Sequence, residues 1–314
     1  MKTKMNKISY FLTAALTLML MAGCDDARDF VPPSFLHLDA IDIVAAPVND
    51  IAYGDPNFYT SDVVGAFVVA HYPGAMSVDT IGVYTLPFTV PVLYSGAVDY
   101  IDVYPAIQVS GVSGMMGFYT FYNKIRITDT LLCSGDTLRL DTLTTCYNTQ
   151  TDFPKLFEPF EPTEGGVATD SVVEWVRHDR ENACTGEGYG RVHVEPDQIH
   201  VPFAIEKVGS LNYFIFPDPT KYYYLELDVR SDLEVEVWMH AAYTEGGNED
   251  KQSVMTIRPT DGEWRHLYIT LGRTWSAFNK PTKVKLSFSA VNIDGVGGDV
   301  LIDNIKVLST SVLF

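Results

Sequence analysis

The stretch LELDVRSDLEVEVWM, residues 225–239, contains two runs in which apolar and polar residues alternate strictly. A side-chain period of two is the pattern of a β-strand with one buried face. The Ser231-Asp232 step between the runs has a composition typical of turns. The stretch therefore predicts an antiparallel hairpin whose apolar side chains face a core.

Similar alternation recurs along most of the chain. Runs at 264–271 and 283–290 repeat the pattern, and short strand-like runs separated by Gly, Pro, Asn and Asp fill the first half. No amphipathic helix of useful length is predicted. The sequence therefore indicates an all-β fold of two β-sandwich domains, a small one at 35–147 and a second at 156–314, joined by a linker at 148–155.

The first residues have the composition of an export signal. Lys2, Lys4 and Lys7 precede an apolar run, 8–21, that is too short to span a bilayer comfortably. Residues 1–23 are therefore predicted to be a signal peptide, followed by an acidic, proline-containing tether at 24–34.

The end of this leader, Ala22-Gly23-Cys24, resembles the lipobox of bacterial lipoproteins. That resemblance implies lipidation of Cys24 by fatty acyl chains such as palmitate, which would anchor the mature protein to the membrane. The acidic cluster after the cysteine, 25–29, is similar to the surface-export signal of Bacteroidota-type lipoproteins. The alternative is that its charged residues only solvate the tether. The expected location is the outer membrane, facing outward.

Two further resemblances concern the sandwiches. The run LPFTVPVL, residues 86–93, with Gly96, resembles PEGA-like and transthyretin-like modules, which implies a spacer or interaction domain. The closing run VLIDNIKV, residues 300–307, together with the opening LFEPFE, residues 156–161, resembles the galactose-binding-like jelly roll of many carbohydrate-binding modules. In that family the first and last strands lie together.

The jelly-roll resemblance also implies a structural calcium ion between the first and last strands. Glu158, Glu161 and Asp303 stand at the matching positions, and oxygen ligands suit this cation. The alternative is that these side chains only cap strand ends. No other cofactor is expected.

One predicted strand face is rich in aromatic and polar side chains. Sugars are bound by flat aromatic rings combined with carboxylates, amides and imidazoles. The candidate ligand-binding residues are Trp238, His240, Glu236, Trp264, His266 and Tyr268. Two alternatives remain: the tryptophans pack under loops, or the site lies at the rim, with Trp175, Arg177, His178, Tyr189 and Trp275.

Several functional classes are disfavoured. A formal net charge of −18 argues against a nucleic-acid partner. Glu234 and Glu236 share a strand face like the paired carboxylates of glycosidases, but Met239 stands where jelly-roll glycosidases place a third acid. No serine-hydrolase or zinc-protease motif is present, so a non-enzymatic role is expected.

The chain has three cysteines besides Cys24. Cys133 and Cys146 flank a strand-like run and are the candidate disulfide of an exported protein, which leaves Cys184 unpaired. The leading hypothesis is a non-catalytic cell-surface lipoprotein whose jelly roll binds a polysaccharide. The alternative is a structural subunit bound to an outer-membrane protein partner, and a glycoside hydrolase is the third.

Overall fold

A computed structural model describes residues 32–44, 60–74, 78–93, 96–112, 114–148, 151–158, 160–161, 172–204, 221–243, 249–278, 281 and 283–310. The described regular structure is β-strand apart from one six-residue helix, so the predicted all-β class is confirmed. The signal peptide, Cys24 and the acidic cluster lie outside these residues. Within them, no helix is long and apolar enough to cross a membrane.

The N-terminal region, residues 32–148, packs two small sheets against a five-stranded one. The small sheets have the orders β5-β1-β9 and β10-β2, and the larger sheet has the order β4-β3-β6-β7 with β8 also paired to β6. The strands are β1 (Ser34–Leu38), β2 (Ala40–Ile43), β3 (Val63–His71), β4 (Asp79–Thr85), β5 (Phe88–Val92), β6 (Gly96–Gln108), β7 (Met116–Phe118), β8 (Ile125–Leu132), β9 (Thr137–Arg139) and β10 (Thr142–Thr145). Alternate apolar residues of these strands, such as Leu36, Val68 and Ile101, form one core.

The C-terminal region, residues 151–310, is a sandwich of a six-stranded and a four-stranded sheet. The larger sheet has the order β12-β13-β20-β15-β18 with β11 also paired to β20, and the four-stranded sheet has the order β14-β19-β16-β17. Its elements are β11 (Thr151–Glu158), β12 (Glu174–Val176), β13 (Tyr189–Val194), β14 (His200–Phe203), β15 (Tyr222–Ser231), β16 (Glu234–Ala242), β17 (Glu249–Ile257), β18 (Arg265–Thr270), α1 (Gly272–Ala277), β19 (Lys283–Val291) and β20 (Gly298–Thr310). A second core fills the space between the two sheets.

The predicted hairpin at 225–239 is wrong in one respect. β15 pairs with β18 and β20, whereas β16 pairs with β17 and β19, so the two strands belong to opposite sheets. The turn at 231–233 carries the chain across the sandwich. Alternation in both strands is as predicted, because each turns its apolar side chains, Leu225 and Val237 among them, towards the same core.

The first and last strands of the C-terminal region lie side by side. β11 pairs antiparallel with β20, and Leu156 stands opposite Val307. Residues 151–155, which were predicted to be linker, form the first half of β11. The larger sheet therefore begins at Thr151, three residues after Asn148 of the N-terminal region.

The predicted disulfide is not formed, and Cys133, Cys146 and Cys184 are free thiols. Cys146 lies beside Asn123, whose amide Nδ2 is 3.3 Å from the Cys146 sulfur, near the start of β8. Cys133 directly follows the end of that eight-residue strand. A strand rises about 3.3 Å per residue, so the two thiols lie too far apart for a disulfide.

The two regions meet across the outer face of the larger sheet. A third apolar cluster at this junction combines Ile107, Tyr119 and Phe121 with Tyr268 and Leu308. The backbone also connects the regions, because Ser110 N donates to Tyr268 O over 2.8 Å.

The centre of this junction is a buried ion pair. Glu226 on β15 stands opposite Lys306 on β20, and the Lys306 Nζ lies 3.0 Å from a Glu226 carboxylate oxygen. Both side chains are 0% exposed. The hydroxyls of Tyr119 and Tyr147 from the N-terminal region also donate to the Glu226 carboxylate.

These contacts keep Glu226 ionised in the interior. Burial alone would raise the pKa of Glu226, but the Lys306 ammonium, His266 and the Tyr119 hydroxyl hold it at about 2. Removing one partner of a buried pair typically costs about 3–5 kcal/mol, because it leaves the other charge without compensation. The Tyr119 and Tyr147 hydroxyls therefore supply part of the compensation that the buried charge of Glu226 requires.

Candidate functional site

The six predicted ligand-binding residues lie on two different sheets. Glu236, Trp238 and His240 occupy the outer face of β16 in the four-stranded sheet, while Trp264, His266 and Tyr268 lie in or just before β18 in the larger sheet. The two groups point away from each other because the shared core separates them. They do not form a single groove.

The outer face of the four-stranded sheet carries aromatic and polar groups, and we call it the Trp238 face. It is defined by Glu236, Trp238 and His240 of β16, Lys285 and Ser287 of β19, and Lys251 of β17. Trp238 stands opposite Ser287, and His240 stands opposite both Lys285 and Lys251. The β16 residues of this face are partly exposed, in alternation with fully buried ones.

Trp238 is held by its neighbours on this face. Its indole Nε1 donates to a Glu236 carboxylate oxygen over 3.0 Å. The Lys251 ammonium lies 3.9 Å from the centre of the indole ring. The ring therefore has a fixed orientation on the sheet, with a carboxylate at its polar edge and a cation over one face.

His240 is neutral on this face at physiological pH. Its Nε2 lies 2.7 Å from the Ser287 hydroxyl oxygen. Partial burial, then the nearby Lys285 and Lys251 ammonium groups, lower the pKa of His240 to about 4. A neutral imidazole both donates and accepts hydrogen bonds, as sugar hydroxyls require.

The side chains of His266 and Tyr268 are part of the protein interior instead, whereas Trp264 is partly buried. Tyr268 is 1% exposed within the junction with the N-terminal region. His266 is hydrogen-bonded to Asp228 over 2.8 Å, and Trp264 Nε1 donates to Asn182 O over 3.0 Å. For His266 and Tyr268 the assignment to an open sugar site is wrong, because other parts of the chain cover these two side chains.

The rim residues proposed as the alternative site contact one another and the core. Trp175 donates to Phe160 O, and the Arg177 guanidinium lies 4.0 Å from the centre of the Trp175 ring. His178 is 3.2 Å from Glu187, Tyr189 donates to Asp179, and Trp275 packs against the main core. These residues stabilise the 175–189 segment and the short helix.

A second aromatic face, in the N-terminal region, was not identified from the sequence. The Arg126 guanidinium lies 3.9 Å from the centre of the Tyr100 ring and donates two hydrogen bonds to the buried Asp102. Phe67 packs beside Phe118, with ring centres 4.7 Å apart. This face was not predicted because apolar and polar residues alternate imperfectly at 98–104. Asp102 is buried although it lies on the outer side of the sheet.

The predicted calcium ligands are only partly described. The Glu158 side chain lies outside the described part of the chain, while Glu161 accepts a hydrogen bond from the backbone N–H of Glu187. Among the described side chains, no group of three or more His, Cys, Asp or Glu residues is arranged to hold a metal. A calcium ion would need other oxygen donors in addition.

The surroundings of Asp303 fit a cation chemically. Asp303 is fully buried, and burial followed by repulsion from Asp228 raises its pKa to about 9. The side-chain oxygen of the adjacent Asn304 is buried and has no hydrogen-bond partner. Asp303 and Asn304 would supply oxygen ligands here, and a bound Ca²⁺ would relieve the repulsion between the two aspartates.

Comparisons with known proteins give no family assignment. No protein-family model matches the chain, and no curated protein matches it in sequence. A lysine-to-alanine mutant of a family 29 carbohydrate-binding module, complexed with cellulohexaose, is 16% identical, with a TM-score of 0.32 over 52% of this chain and 94% of that chain.

Two other solved structures are similar at the same level. The CBM22-1-GH10 modules of an endo-1,4-beta-D-xylanase from Clostridium thermocellum are 16% identical, with a TM-score of 0.36 over 51% of this chain and 29% of that chain. A xylan-binding domain from CBM 22 is 12% identical, with a TM-score of 0.34 over 51% of this chain and 97% of that chain.

The calcium prediction is tested by the Asp303→Asn variant. We expect millimolar Ca²⁺ to raise the Tm of the unmodified protein and EDTA to reverse the rise, since a ligand that binds only the folded state stabilises it. Asp303→Asn should abolish the Ca²⁺ effect, whereas Asp261→Asn at an exposed turn should retain it. Differential scanning calorimetry measures both.

A different outcome would contradict calcium binding. Folding raises the pKa of Asp303 to about 9. The folded protein therefore loses stability as the pH rises from the pKa of this acid in the unfolded chain towards about 9. If Ca²⁺ has no effect and Asp303→Asn is more stable than the unmodified protein at pH 8, Asp303 is a buried neutral acid and the prediction is wrong.

Proposed function

We propose that the protein is a non-catalytic outer-membrane lipoprotein that binds a polysaccharide through the Trp238 face. The supporting observation is the fixed indole ring of Trp238, with the Glu236 carboxylate at its edge and neutral His240 two residues further along the strand. Ring stacking against the apolar face of a sugar, with polar groups at the ring edge, is the chemistry of a shallow glycan site.

The strand geometry suits an extended ligand. Trp238 and His240 are two residues apart on β16, so their side chains are separated by about 7 Å along the strand. Ser287 and Lys285 continue the polar surface on the neighbouring strand. A chain of sugar units lying along these strands would meet a hydrogen-bonding group on every second residue.

Lys251 must move for a sugar to use the ring face that it covers. An exposed cation–π contact is worth about 0.5–1 kcal/mol, and Lys251 is exposed on β17. Displacing its ammonium group therefore costs less than a good stacking contact provides. The displaced ammonium remains within reach as a hydrogen-bond donor to sugar hydroxyls.

Affinity electrophoresis of the purified soluble protein through gels containing xylan, glucomannan, mannan or β-glucan tests this proposal. We expect retardation in at least one gel and its loss in Trp238→Ala, at roughly 1–3 kcal/mol for one stacking contact, by analogy with aromatic stacking on nucleobases. Retardation should not change between pH 8 and pH 5.5, because His240 stays neutral over this range.

Tyr222→Ala is a matched control, because Tyr222 is an aromatic residue that is 41% exposed on the other sheet. The polysaccharide gel should retard Tyr222→Ala as strongly as it retards the unmodified protein. Equal retardation of Trp238→Ala and the unmodified protein would contradict the role of this face. No retardation of any variant by any polysaccharide would contradict glycan binding.

The membrane anchor rests on the sequence around Cys24, which lies outside the described residues. The proposed lipid on Cys24, followed by the tether 24–34, would hold both sandwiches at the membrane surface. Expression in a bacterial host with an alkyne-labelled palmitate analogue should label the unmodified protein but not Cys24→Ala. Labelling that persists in Cys24→Ala would contradict the anchor.

The alternative is a structural subunit of an outer-membrane complex. It is favoured by the exposed apolar side chains on the five-stranded sheet of the N-terminal region, where Val83 and Phe118 are each 43% exposed. Such side chains are suited to a protein partner. Gentle detergent extraction would recover that partner in a fixed stoichiometry, whereas a free, monodisperse protein would count against this alternative.

A further inference from the structure

One end of the C-terminal sandwich contains an open cleft of about 660 Å³. Its two sides are the turn after β15 and the loop between β19 and β20. The lining includes the apolar Leu233, Val291, Ile293 and Val296, and the carboxylates of Asp232, Glu234 and Asp294. The cleft shares no residue with the Trp238 face, although its Glu234 lies two residues before Glu236 on the same side of β16.

The loop side of the cleft is held rigidly by Asn292. This residue is 3% exposed, and its Nδ2 lies within 3.3 Å of the carbonyl oxygens of Glu195, Pro196 and Gln198. Its Oδ1 accepts a hydrogen bond from Gly297 N, at a backbone φ of 77° that favours glycine. One buried amide thereby fixes the loops 195–199 and 292–297 to each other.

The turn side is equally well ordered. The Ser231 hydroxyl donates to Leu233 O over 2.7 Å, and Ser231 N donates to the Thr260 hydroxyl oxygen over 3.0 Å. The Asp232 carboxylate accepts a hydrogen bond from Asp299 N over 3.1 Å, which connects the turn to the start of β20. Hydrogen bonds therefore fix the backbone on both sides of the cleft.

This rigid frame holds aliphatic side chains in water. Ile293 is 72% exposed and Val296 is 75% exposed, and Ile199 on the adjoining loop is 65% exposed. Burying such a side chain against a partner is favourable because it removes apolar surface from water. Because the loop is already ordered, a partner gains this energy without the entropic cost of fixing the loop.

The charge of the cleft selects the partner. Three of its lining residues are carboxylates and none is lysine or arginine. A ligand that combines a cation with apolar groups complements this lining, which offers no aromatic ring on which a sugar could stack. A peptide that alternates basic and aliphatic side chains has both features and, when extended, suits an open cleft.

We infer that this cleft is a docking site for an extended basic and aliphatic peptide segment of a partner protein, held by Ile293 and Val296 and by the carboxylates of Glu234 and Asp294. The site shares no residue with the Trp238 face, so peptide binding and glycan binding are tested separately. A single chain would thus engage a polysaccharide and a protein partner through different surfaces.

Fluorescence anisotropy with a labelled hexapeptide of alternating leucine and lysine tests this inference, with the soluble protein in about 0.15 M NaCl to screen long-range attraction. We expect saturable binding at one site per chain. Affinity should fall at least about ten-fold in the double variant Ile293→Ser/Val296→Ser and in Glu234→Gln/Asp294→Asn. A hexapeptide of alternating leucine and glutamate should bind to neither the unmodified protein nor the variants.

Matched controls separate the cleft from general effects of charge and hydrophobicity. Leu93→Ser/Leu131→Ser removes two aliphatic side chains that are 93% and 62% exposed in the N-terminal region. Asp79→Asn/Asp136→Asn removes two exposed acids there. Both control variants and Trp238→Ala should bind the peptide as the unmodified protein does.

Several results would overturn the inference. They are an equal loss of affinity in the cleft and control variants, equal binding of the leucine–glutamate peptide, and unchanged affinity in both cleft variants. Loss of polysaccharide retardation in Ile293→Ser/Val296→Ser, with peptide binding unchanged, would also overturn it, since the cleft would then be a sugar site.

Discussion

The contact between Glu226 and Lys306 is the interaction on which the arrangement of the two sandwiches depends. Both side chains are fully buried on the outer face of the larger C-terminal sheet, where their nitrogen and oxygen atoms lie 3.0 Å apart. Moving two charges out of water costs several kcal/mol per ion, which the pair offsets only with additional hydrogen bonds. The Tyr119 and Tyr147 hydroxyls provide these bonds from the N-terminal region.

This dependence determines which surfaces remain for binding. The N-terminal region must cover the larger sheet to complete the coordination of Glu226, so Tyr268 and His266 become interior residues. The four-stranded sheet keeps its outer face partly exposed, with Trp238 at its centre. The proposed glycan site and the acidic cleft at the sandwich end therefore lie on parts of the C-terminal region that the junction leaves uncovered.

Strand alternation was sufficient to predict the all-β class and the core-facing residues, because the period of two is a local property. Leu225, Val237 and Leu267 all face the core as the pattern indicated. Sheet partners are not local, so the Ser231-Asp232 turn was taken for a hairpin although it crosses between sheets. The same limit affected the cysteines, whose separation along β8 is not apparent from their spacing in the sequence.

The site residues were only half predictable for a related reason. Glu226, His266 and Lys306 alternate with apolar residues just as Glu236, Trp238 and His240 do, and both patterns suggest a solvated face. Which face is covered depends on tyrosines more than 70 residues away, as with Tyr147 and Glu226. The cleft was missed because its most exposed apolar residues, Ile293 and Val296, lie in a loop, where no periodic signal exists.

The central claim is that the buried junction makes the two sandwiches one cooperative unit. Its most direct test is urea unfolding of the soluble protein followed by two probes. All four tryptophans, Trp175, Trp238, Trp264 and Trp275, belong to the C-terminal region, so their fluorescence reports that region alone, while far-UV circular dichroism reports both. The account predicts a single transition with the same midpoint by both probes. A circular dichroism transition that separates into two steps, only one of which coincides with the fluorescence change, would contradict it.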